Sequence, residues 1–360
     1  LPAAARRLAH DLLTPAAEAT DQAAVVPRGH LDALADAGLC GLVGPSTHGG
    51  HAAPASVTRQ VYETLAGACG VTFFVWVQHH APVRLLAASP NVDLRERWLP
   101  ELCRGSVFGG VAFAYLRRPG PPAVVARPVP GGWVVDGEAP WVTSWGLARL
   151  FAVVACVEGA GEAMFFLLDA DEAGQSVQAS PPLGLAAMGA SATVRLGFDG
   201  LFVPTGDVVR TIDLARWRAR DRAGTSKPHP APLGLASTAI RLLAARADAV
   251  SGPVPTAVHR AASALADELD ACRARSYVLS DLVGHDDAHL AELVEARAWG
   301  VDLAMRSAQA LVAATGGRAM ALDHPAQRLV REAAFWSIQA QSSTLREATL
   351  GIVSTPRSGG

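Results

Sequence analysis

A short aromatic and polar stretch in the middle of the chain has the residue types needed to bind a flat ligand. It reads Trp141-Val142-Thr143-Ser144-Trp-Gly146 and follows a strand-like run. The indole offers an apolar wall, the loop exposes backbone amides, and the threonine hydroxyl adds a donor. A buried tricyclic ring such as a flavin requires these contacts. The stretch is a candidate flavin-binding loop; alternatively, Trp141 is a core residue of a β domain.

Two adjacent histidines, His79 and His80, follow the apolar run from Val71 to Val77. Histidine changes its charge near neutral pH, so either ring is a candidate for binding substrate or handling protons. The alternative is a surface histidine, or a core histidine whose nitrogens are already satisfied.

A second histidine pair, His285 and His289, has the i, i+4 spacing of a helical metal site. The intervening Asp286 and Asp287 instead favour the start of a helix after Gly284, because a helix N-terminus attracts carboxylates. We therefore predict a helix start here and no metal.

The bulk composition excludes several classes of protein. The chain has 360 residues, a formal charge of −2 and 18% charged residues, so it has no general attraction for nucleic acid. No run reaches the roughly 18 apolar residues of a membrane-spanning helix. Five widely spaced cysteines predict reduced, buried thiols. A soluble, cytoplasmic protein is expected. The cysteines are Cys40, Cys69, Cys103, Cys156 and Cys272.

The hydrophobic pattern divides the chain into three parts. Helical spacing extends to about residue 105, short β-rich runs follow to about 212, and helical spacing then returns. Four long helical stretches, near 232–250, 255–283, 287–315 and 325–352, predict an antiparallel bundle. The stretch from Thr205 to Pro232, rich in Arg and Pro, is predicted to be an interdomain loop.

This order resembles the acyl-CoA dehydrogenase superfamily, and local matches follow one another along nearly the whole chain. The resemblance implies an α+β fold with an N-terminal helical domain (1–105), a β-barrel or sandwich domain (106–212) and a C-terminal four-helix bundle (213–360). The matching segments are Ala37-Gly-Leu-Cys-Gly-Leu-Val-Gly-Pro45, Trp98-Leu-Pro-Glu-Leu-Cys-Arg-Gly105, Phe198-Asp-Gly-Leu-Phe-Val-Pro204, and Gly316-Gly317 with Pro325 and Arg331-Glu332.

The resemblance also assigns cofactor contacts. Trp141 would pack beside the isoalloxazine ring of FAD, backbone around Val142 and Ser144 would face it, and Thr143 would give its hydroxyl to the N5 region. Gly316 and Gly317 would approach the adenosine part of a flavin held by a partner subunit. The alternative for this glycine pair is an ordinary helix stop.

Two flavin-binding motifs of the family are altered in this sequence. Where a Thr-Glu-Pro segment is expected, the chain has Arg117 and Arg118 before Pro119. These arginines are either solvated loop residues or a cradle for phosphate or another anion. In the region that matches the flavin-pyrophosphate turn, Gly252 fits. Asp248 and His259, however, stand where arginine and glutamine are expected.

The usual catalytic base is also missing. Dehydrogenation between Cα and Cβ needs a carboxylate to take the α-proton. Counting from Arg331-Glu332 places Ala340 at the position of that carboxylate. Glu347 lies seven residues further on, in a superficially similar motif, and is an unlikely substitute. The other base position used in the family falls near residues 224–229, where no carboxylate occurs.

Three hypotheses follow. The first is a flavin-linked oxidoreductase acting on an acyl thioester or another small molecule, as a homo- or hetero-oligomer whose second chain supplies the base. The second is a monooxygenase or hydroxylase that uses FAD or FMN reduced elsewhere, with His79 or His80 in its pocket. The third is a non-catalytic scaffold or binding member. An electron-transfer protein or a flavin reductase is a possible partner, and the oligomer is expected to be a dimer or a tetramer.

Overall fold

The computed structural model describes residues 1–248, 254–282 and 286–355. Its first part is helical, as predicted, and ends at Arg104. A π-helical turn, Ala9–Leu13, joins the first two helices, and Asn91 caps the last one by accepting the backbone N–H of Leu94 at 3.1 Å. The helices are α1 (Pro2–Leu8), α2 (Thr14–Gln22), α3 (Arg28–Asp36), α4 (Ala55–Ala68), α5 (Gly70–Gln78), α6 (His80–Ala87) and α7 (Val92–Arg104).

Within the described residues, the middle of the chain forms one eight-stranded sheet. Its order is β6-β7-β3-β2-β4-β5-β8, and β1 pairs with β4 in parallel. Every residue of β4 is buried, which suits its apolar sequence. The strands are β1 (Gly109–Ala112), β2 (Val124–Val129), β3 (Gly132–Val142), β4 (Leu150–Val157), β5 (Glu162–Asp169), β6 (Val177–Ala179), β7 (Val194–Pro204) and β8 (Val208–Asp213).

The C-terminal part is helical again, so the predicted order of helices, sheet and helices is confirmed. A 3₁₀ turn, Gly316–Met320, follows α11. The helices of this part are α8 (Leu214–Ser226), α9 (Pro230–Asp248), α10 (Val254–Asp281), α11 (Asp287–Thr315), α12 (Pro325–Trp336) and α13 (Ser343–Ser354).

Two details of this part correct the sequence-based prediction. The prediction of a loop from Thr205 to Pro232 was wrong, because β8 and α8 occupy most of that stretch. Asp213 caps α8 by accepting the backbone N–H of Arg216 at 2.7 Å, and the prolines that suggested a loop lie only at the α8–α9 junction. The predicted helix 325–352 is two helices, because Ala340 has a φ of +48° and Ser342 caps α13.

The cysteines and the second histidine pair behave as predicted where the structure describes them. All five cysteines are described and lie buried as free thiols. Asp286 accepts the backbone N–H of His289 at 2.7 Å and begins α11, which confirms the predicted helix start. His285 and Gly252 lie outside the described residues. Across the described ranges, every helix is too short or too polar to cross a bilayer.

A buried ion network joins α12 to the N-terminal helices. Arg328 donates to Glu332 at 2.9 Å and to Glu18 on α2 at 3.1 Å. Glu332 also accepts the backbone N–H of Gly70 at 3.2 Å, which fixes the start of α5. The Arg328 and Glu332 side chains are only 2% and 1% exposed. The packing of α12 against α2 and α5 therefore depends on a pair of charges that cannot be solvated.

Replacing Glu332 should be costly, because the buried Arg328 keeps only its contact with the part-exposed Glu18 and the Gly70 N–H loses its acceptor. We expect Glu332→Ala to lower the free energy of unfolding by about 3–5 kcal/mol, measured by urea denaturation. The matched control is Glu292→Ala, which removes the carboxylate from a half-exposed ion pair with Arg275. It should cost at most about 1 kcal/mol. Equal losses in the two variants would contradict this account of α12.

Candidate functional site

The candidate flavin-binding loop starts where the regular pairing of β3 with β7 ends. Pairing is irregular between Ala139 and Val142, and Trp141 lies in that irregularity with a φ of +61°. Its side chain is 51% exposed, while Val142 beside it is fully buried. The alternative that Trp141 belongs to the core was therefore wrong. The loop presents the indole at the surface instead of packing it.

Three buried hydroxyls form a row that begins at Thr143, two residues after Trp141. Thr143 Oγ1 lies 3.1 Å from Thr193 Oγ1, which lies 2.7 Å from Ser191 Oγ. The two contacts of this row use two of its three hydroxyl hydrogens. One hydroxyl hydrogen of the row is therefore left to bond elsewhere, and Thr143 is one of the three groups that can carry it.

Ser144 is the least satisfied group of the loop. Its Oγ is buried and has no hydrogen-bond partner, and its backbone has a φ of +71°. Its amide donates to Ser191 O at 2.9 Å, so the loop is tied to the segment that precedes β7. A buried hydroxyl without a partner is uncommon and calls for an explanation such as a ligand.

Backbone strain is concentrated in the same two segments. Of the non-glycine residues with positive φ, four lie here: Trp141, Ser144, Met188 and Ala192. Such conformations cost roughly 1–3 kcal/mol each and are typical of functional sites. Sequence reasoning missed the segment from Met188 to Thr193. The run of small and hydroxyl residues before β7 was the available signal.

The glycine pair after α11 forms a separate, exposed turn. Gly316 has a φ of +73°, and a Cβ added at Gly316 or Gly317 would meet no atom within 4 Å. The turn is therefore open to a ligand or to another chain, although it also ends α11. Its role in holding a flavin of a partner subunit stays a prediction.

The structure separates the two arginines that were candidates for an anion cradle. Arg117 forms a two-pronged ion pair with Asp221 on α8, with N···O distances of 2.8 and 2.7 Å. Arg118 is exposed. Arg117 is thus committed to a carboxylate that the sequence had placed in a loop. A phosphate contact by Arg118 stays a prediction.

His79 is enclosed in the core with both nitrogens occupied. Its Nδ1 accepts the backbone N–H of Gly109 at 2.9 Å, so the proton must sit on Nε2, which donates to Leu102 O at 3.0 Å. Burial lowers the pKa of His79 to about 4. A second proton could be taken up only by breaking the bond to Gly109.

His80 is held in the same way. Nε2 donates to Leu39 O at 3.3 Å, and Nδ1 accepts from the Tyr62 hydroxyl at 2.7 Å. Burial holds its pKa well below the ordinary value, and His79 and Arg84 lower it further. In both rings each nitrogen already has a hydrogen-bond partner within the core. This geometry favours a structural role for His79 and His80 over proton handling.

The loop between α12 and α13, where the base was sought, carries no carboxylate between Ser337 and Ser342. Glu347 lies exposed on α13. Arg297 on α11 is buried and donates to Gln339 O at 2.7 Å and to Thr225 O. Burial and the nearby Arg117 lower the pKa of Arg297 to about 10. The guanidinium of Arg297 therefore contacts the peptide carbonyl of the residue before Ala340.

Aromatic rings fill the space directly before this loop. Trp336, the last residue of α12, packs against Phe73 at a ring separation of 5.9 Å and stacks on His229 at 5.1 Å. Phe335 packs edge-on against Phe74 at 4.6 Å. Burial among these rings lowers the pKa of His229 to about 3, although part of its surface stays accessible. Sequence reasoning missed His229, which lies between two prolines.

Comparison with known proteins supports the resemblance to the acyl-CoA dehydrogenases. The description "Acyl-CoA dehydrogenase, N-terminal domain" matches residues 1–106, which hold the helices α1 to α7. This match and the relatives below support membership of the acyl-CoA dehydrogenase superfamily. It is 28% identical over 203 residues to benzylmalonyl-CoA dehydrogenase of Aromatoleum aromaticum (strain DSM 19018 / LMG 30748 / EbN1). That match covers 55% of this chain and 53% of the relative, about half the length of each.

Solved structures extend the likeness of fold to nearly the whole chain. Butyryl-CoA dehydrogenase of Megasphaera elsdenii superposes with a TM-score of 0.83 at 17% identity, covering 98% of this chain and 96% of that one. Dibenzothiophene monooxygenase of Paenibacillus sp. A11-2 superposes with a TM-score of 0.79 at 18% identity, with the same coverage. At these identities the likeness establishes the acyl-CoA dehydrogenase fold and no particular reaction.

The neutral, buried histidines make folding dependent on pH. The folded pKa of His79 lies below the ordinary value of 6.5, and so does that of His80. The unfolded chain therefore binds more protons below pH 6.5, and stability falls as the pH drops from 6.5 towards 4. Each ring contributes about 1.4 kcal/mol per pH unit. We expect urea denaturation to show a loss of at least about 3 kcal/mol per unit between pH 6 and 5, because the lowered pKa of His229 acts in the same direction.

The control for this prediction is His10→Gln, since His10 is exposed and pairs only with the neighbouring Asp11. This variant should keep the slope of the parent. His79→Gln should reduce the slope by the contribution of one ring, about 1.4 kcal/mol per pH unit. A stability that is constant between pH 6.5 and 5 would show that the two rings are not held neutral.

Proposed function

We propose that this chain is a flavin-dependent oxidoreductase that holds a flavin against the loop from Trp141 to Ser144. The observation that carries the proposal is the combination of an exposed indole, an unpartnered Ser144 Oγ in the same strained loop, and one spare hydroxyl hydrogen in the row of Thr143, Thr193 and Ser191. These groups fit the edge and face of a flat heteroaromatic ring. When bound, a flavin would supply hydride and electron transfer, which no side chain can perform.

The residues of this chain would bind and orient the ring. Trp141 would offer its flat face, and the hydroxyl row would give one hydrogen bond to a ring nitrogen or oxygen. The row is anchored because Thr193 and Ser191 lie at the start of β7. The tie from Ser144 N to Ser191 O keeps the loop from collapsing inwards. Exposure of Trp141 leaves room for a second chain to complete the site.

The substrate we propose is an acyl thioester with a short acyl group. The superfamily supports the thioester, and the packed rings of Trp336, Phe73 and His229 support the short chain, since they fill the space before the Ala340 loop. No carboxylate of that loop can take the α-proton, so a second chain of a hetero-oligomer would supply the base. The other group near the loop, Arg297, is cationic and would stabilise negative charge developing there.

The lack of a carboxylate at position 340 also favours a second candidate, a monooxygenase that uses reduced flavin. Oxygen transfer to a substrate does not need an α-proton acceptor. In this case a flavin reductase would be the partner. His79 and His80 support it less, because both rings already have their nitrogens occupied in the core.

Loss of the Thr143 hydroxyl should weaken flavin binding. We expect Thr143→Val to raise the Kd for FAD about two- to tenfold, the effect of one hydrogen bond of roughly 0.5–1.5 kcal/mol. Quenching of intrinsic tryptophan fluorescence during an FAD titration measures it. Thr205→Val, which removes a hydroxyl that donates to Gly131 O outside the loop, should leave the Kd unchanged. Absence of saturable FAD and FMN binding in the parent protein would end the proposal.

Restoring a carboxylate tests the missing base. We expect Ala340→Glu to increase at least tenfold the rate at which short-chain acyl-CoAs bleach the bound flavin anaerobically, because the new side chain can accept the α-proton. Ala340→Gln has nearly the same shape without the basic group and serves as the control. Equal bleaching by parent and Glu variant would show that the chain already has a base. If acyl-CoAs bleach neither the parent nor the Glu variant, while reduced flavin and oxygen give an oxygenated product, the monooxygenase hypothesis replaces the dehydrogenase hypothesis.

A further inference from the structure

A cavity of about 390 Å³ lies between α4, α6, α10 and the α8–α9 junction. Its lining includes Thr58, Arg59, Tyr62, Arg84, Lys227 and Ser280, and we call it the Tyr62 cavity. Its lining residues all lie outside the sheet and outside the loop from Trp141 to Ser144. It is therefore a different site from the one proposed to hold flavin.

The charges around this cavity are unbalanced. Arg59 is neutralised by Asp281 through two N···O contacts of 2.7 Å and lies over the Tyr277 ring at 4.6 Å. Arg84 and Lys227 have no carboxylate within ion-pair distance in the described ranges of the chain. Both cations line the same concave space, and the nearby carboxylate of Asp281, which Lys227 also influences, is already paired with Arg59.

Lys227 is the only lysine in a sequence whose other basic side chains, apart from histidine, are arginines. An ammonium is a compact charge on a flexible stem, and it suits a phosphate or carboxylate as a point contact. The lysine lies at the start of the junction Lys227–Pro230, where the chain passes from α8 to α9. Pro228 and Pro230 of that junction also line the cavity.

The floor of the cavity is a buried tyrosine that lies near one of the two cations. Tyr62 is 6% exposed and donates its hydroxyl hydrogen to Nδ1 of His80, which is fixed in turn by Leu39 O. Burial raises the pKa of Tyr62, and the positive charge of the nearby Arg84 opposes that rise. Tyr62 has no hydrogen left for a ligand.

The remaining hydroxyls are also committed. Thr58 donates to Ala53 O at 3.5 Å and Ser280 to Ser276 O at 2.7 Å, both local backbone contacts. The cations left without an ion pair are therefore Arg84 and Lys227, and the buried Nε of Arg59 is a further donor without a partner. Arg84 and Lys227 together would favour a negatively charged ligand and would accept anions of different shape.

We propose that the Tyr62 cavity binds a small anion whose charged group is a phosphate or a carboxylate, held between Arg84 and Lys227. The volume is sufficient for a small organic molecule. The bound anion would fasten α6 to the α8–α9 junction. His229 of this junction stacks on Trp336 at 5.1 Å, so the anion would also restrain the end of α12 that precedes Ala340. The inference does not depend on flavin binding.

The single lysine makes the cavity accessible to a direct chemical test. Pyridoxal 5′-phosphate carries an aldehyde that condenses with a lysine amine, with loss of water, and borohydride reduces the imine to a stable amine. We expect Lys227 to be labelled at least tenfold faster by pyridoxal 5′-phosphate than by pyridoxal, which lacks the phosphate. Peptide mapping by mass spectrometry separates Lys227 from the terminal amine.

Variants and competitors decide the outcome. Arg84→Gln should abolish the preference for the phosphorylated reagent, whereas Arg241→Gln, which changes an exposed arginine outside the cavity, should preserve it. Inorganic phosphate and malonate compete in separate arms, and the stronger competitor shows which anion the cavity prefers. Equal labelling by the two reagents, an unaffected Arg84→Gln variant, or a lack of competition by both anions would each overturn the proposal.

A measurement without labelling provides a second test. Phosphate should raise the Tm of the parent protein above its value in chloride of equal ionic strength, because a ligand that binds only the folded state stabilises it. Lys227→Gln removes an exposed charge and should fold normally, and its Tm should not respond to phosphate. The same rise in parent and variant would show that phosphate acts elsewhere.

Discussion

The candidate site depends on the backbone hydrogen bonds that tie the end of β3 to the segment before β7. Ser144 N donates to Ser191 O at 2.9 Å and Trp145 N donates to Ala192 O at 3.2 Å. These bonds hold Trp141 and Ser144 in left-handed conformations that neither residue would adopt in a free loop. Without them the indole would turn inwards and the hydroxyl row would lose its alignment. The surrounding sheet therefore maintains the strain of the loop.

The second feature of the molecule is a change of charge near the expected reaction centre. The family resemblance places a carboxylate at position 340, and this chain has alanine there, with the buried Arg297 behind the neighbouring peptide. A cation in this position cannot accept a proton, but it can attract an anion or stabilise developing negative charge. The nearby Arg117–Asp221 pair helps fix α8 relative to the loop after β1. Arg297 donates to Thr225 O at the end of α8 and to Gln339 O in the loop after α12, so its guanidinium joins these two segments.

Sequence reasoning predicted the fold well because hydrophobic periodicity and local turn residues carry most of that information. The helices near residues 31–38 and 57–68, and the strand from Phe151 to Val157, follow directly from spacing. Helix α8 was missed because it buries only Thr225 and Ser226 and so shows no apolar stripe. Its stability comes from the Asp213 cap and from Arg117, and a partner 104 residues distant leaves no local signal.

By itself the sequence determined the order of helices and strands, the position of the aromatic loop and the absence of a carboxylate at Ala340. These are properties of residue type and spacing. Only the tertiary structure decided that Trp141 is exposed, that both rings of His79 and His80 are satisfied, and that Arg84 and Lys227 face one cavity. Each of these depends on which distant backbone or side chain comes within about 3–4 Å, and chain spacing does not fix such contacts.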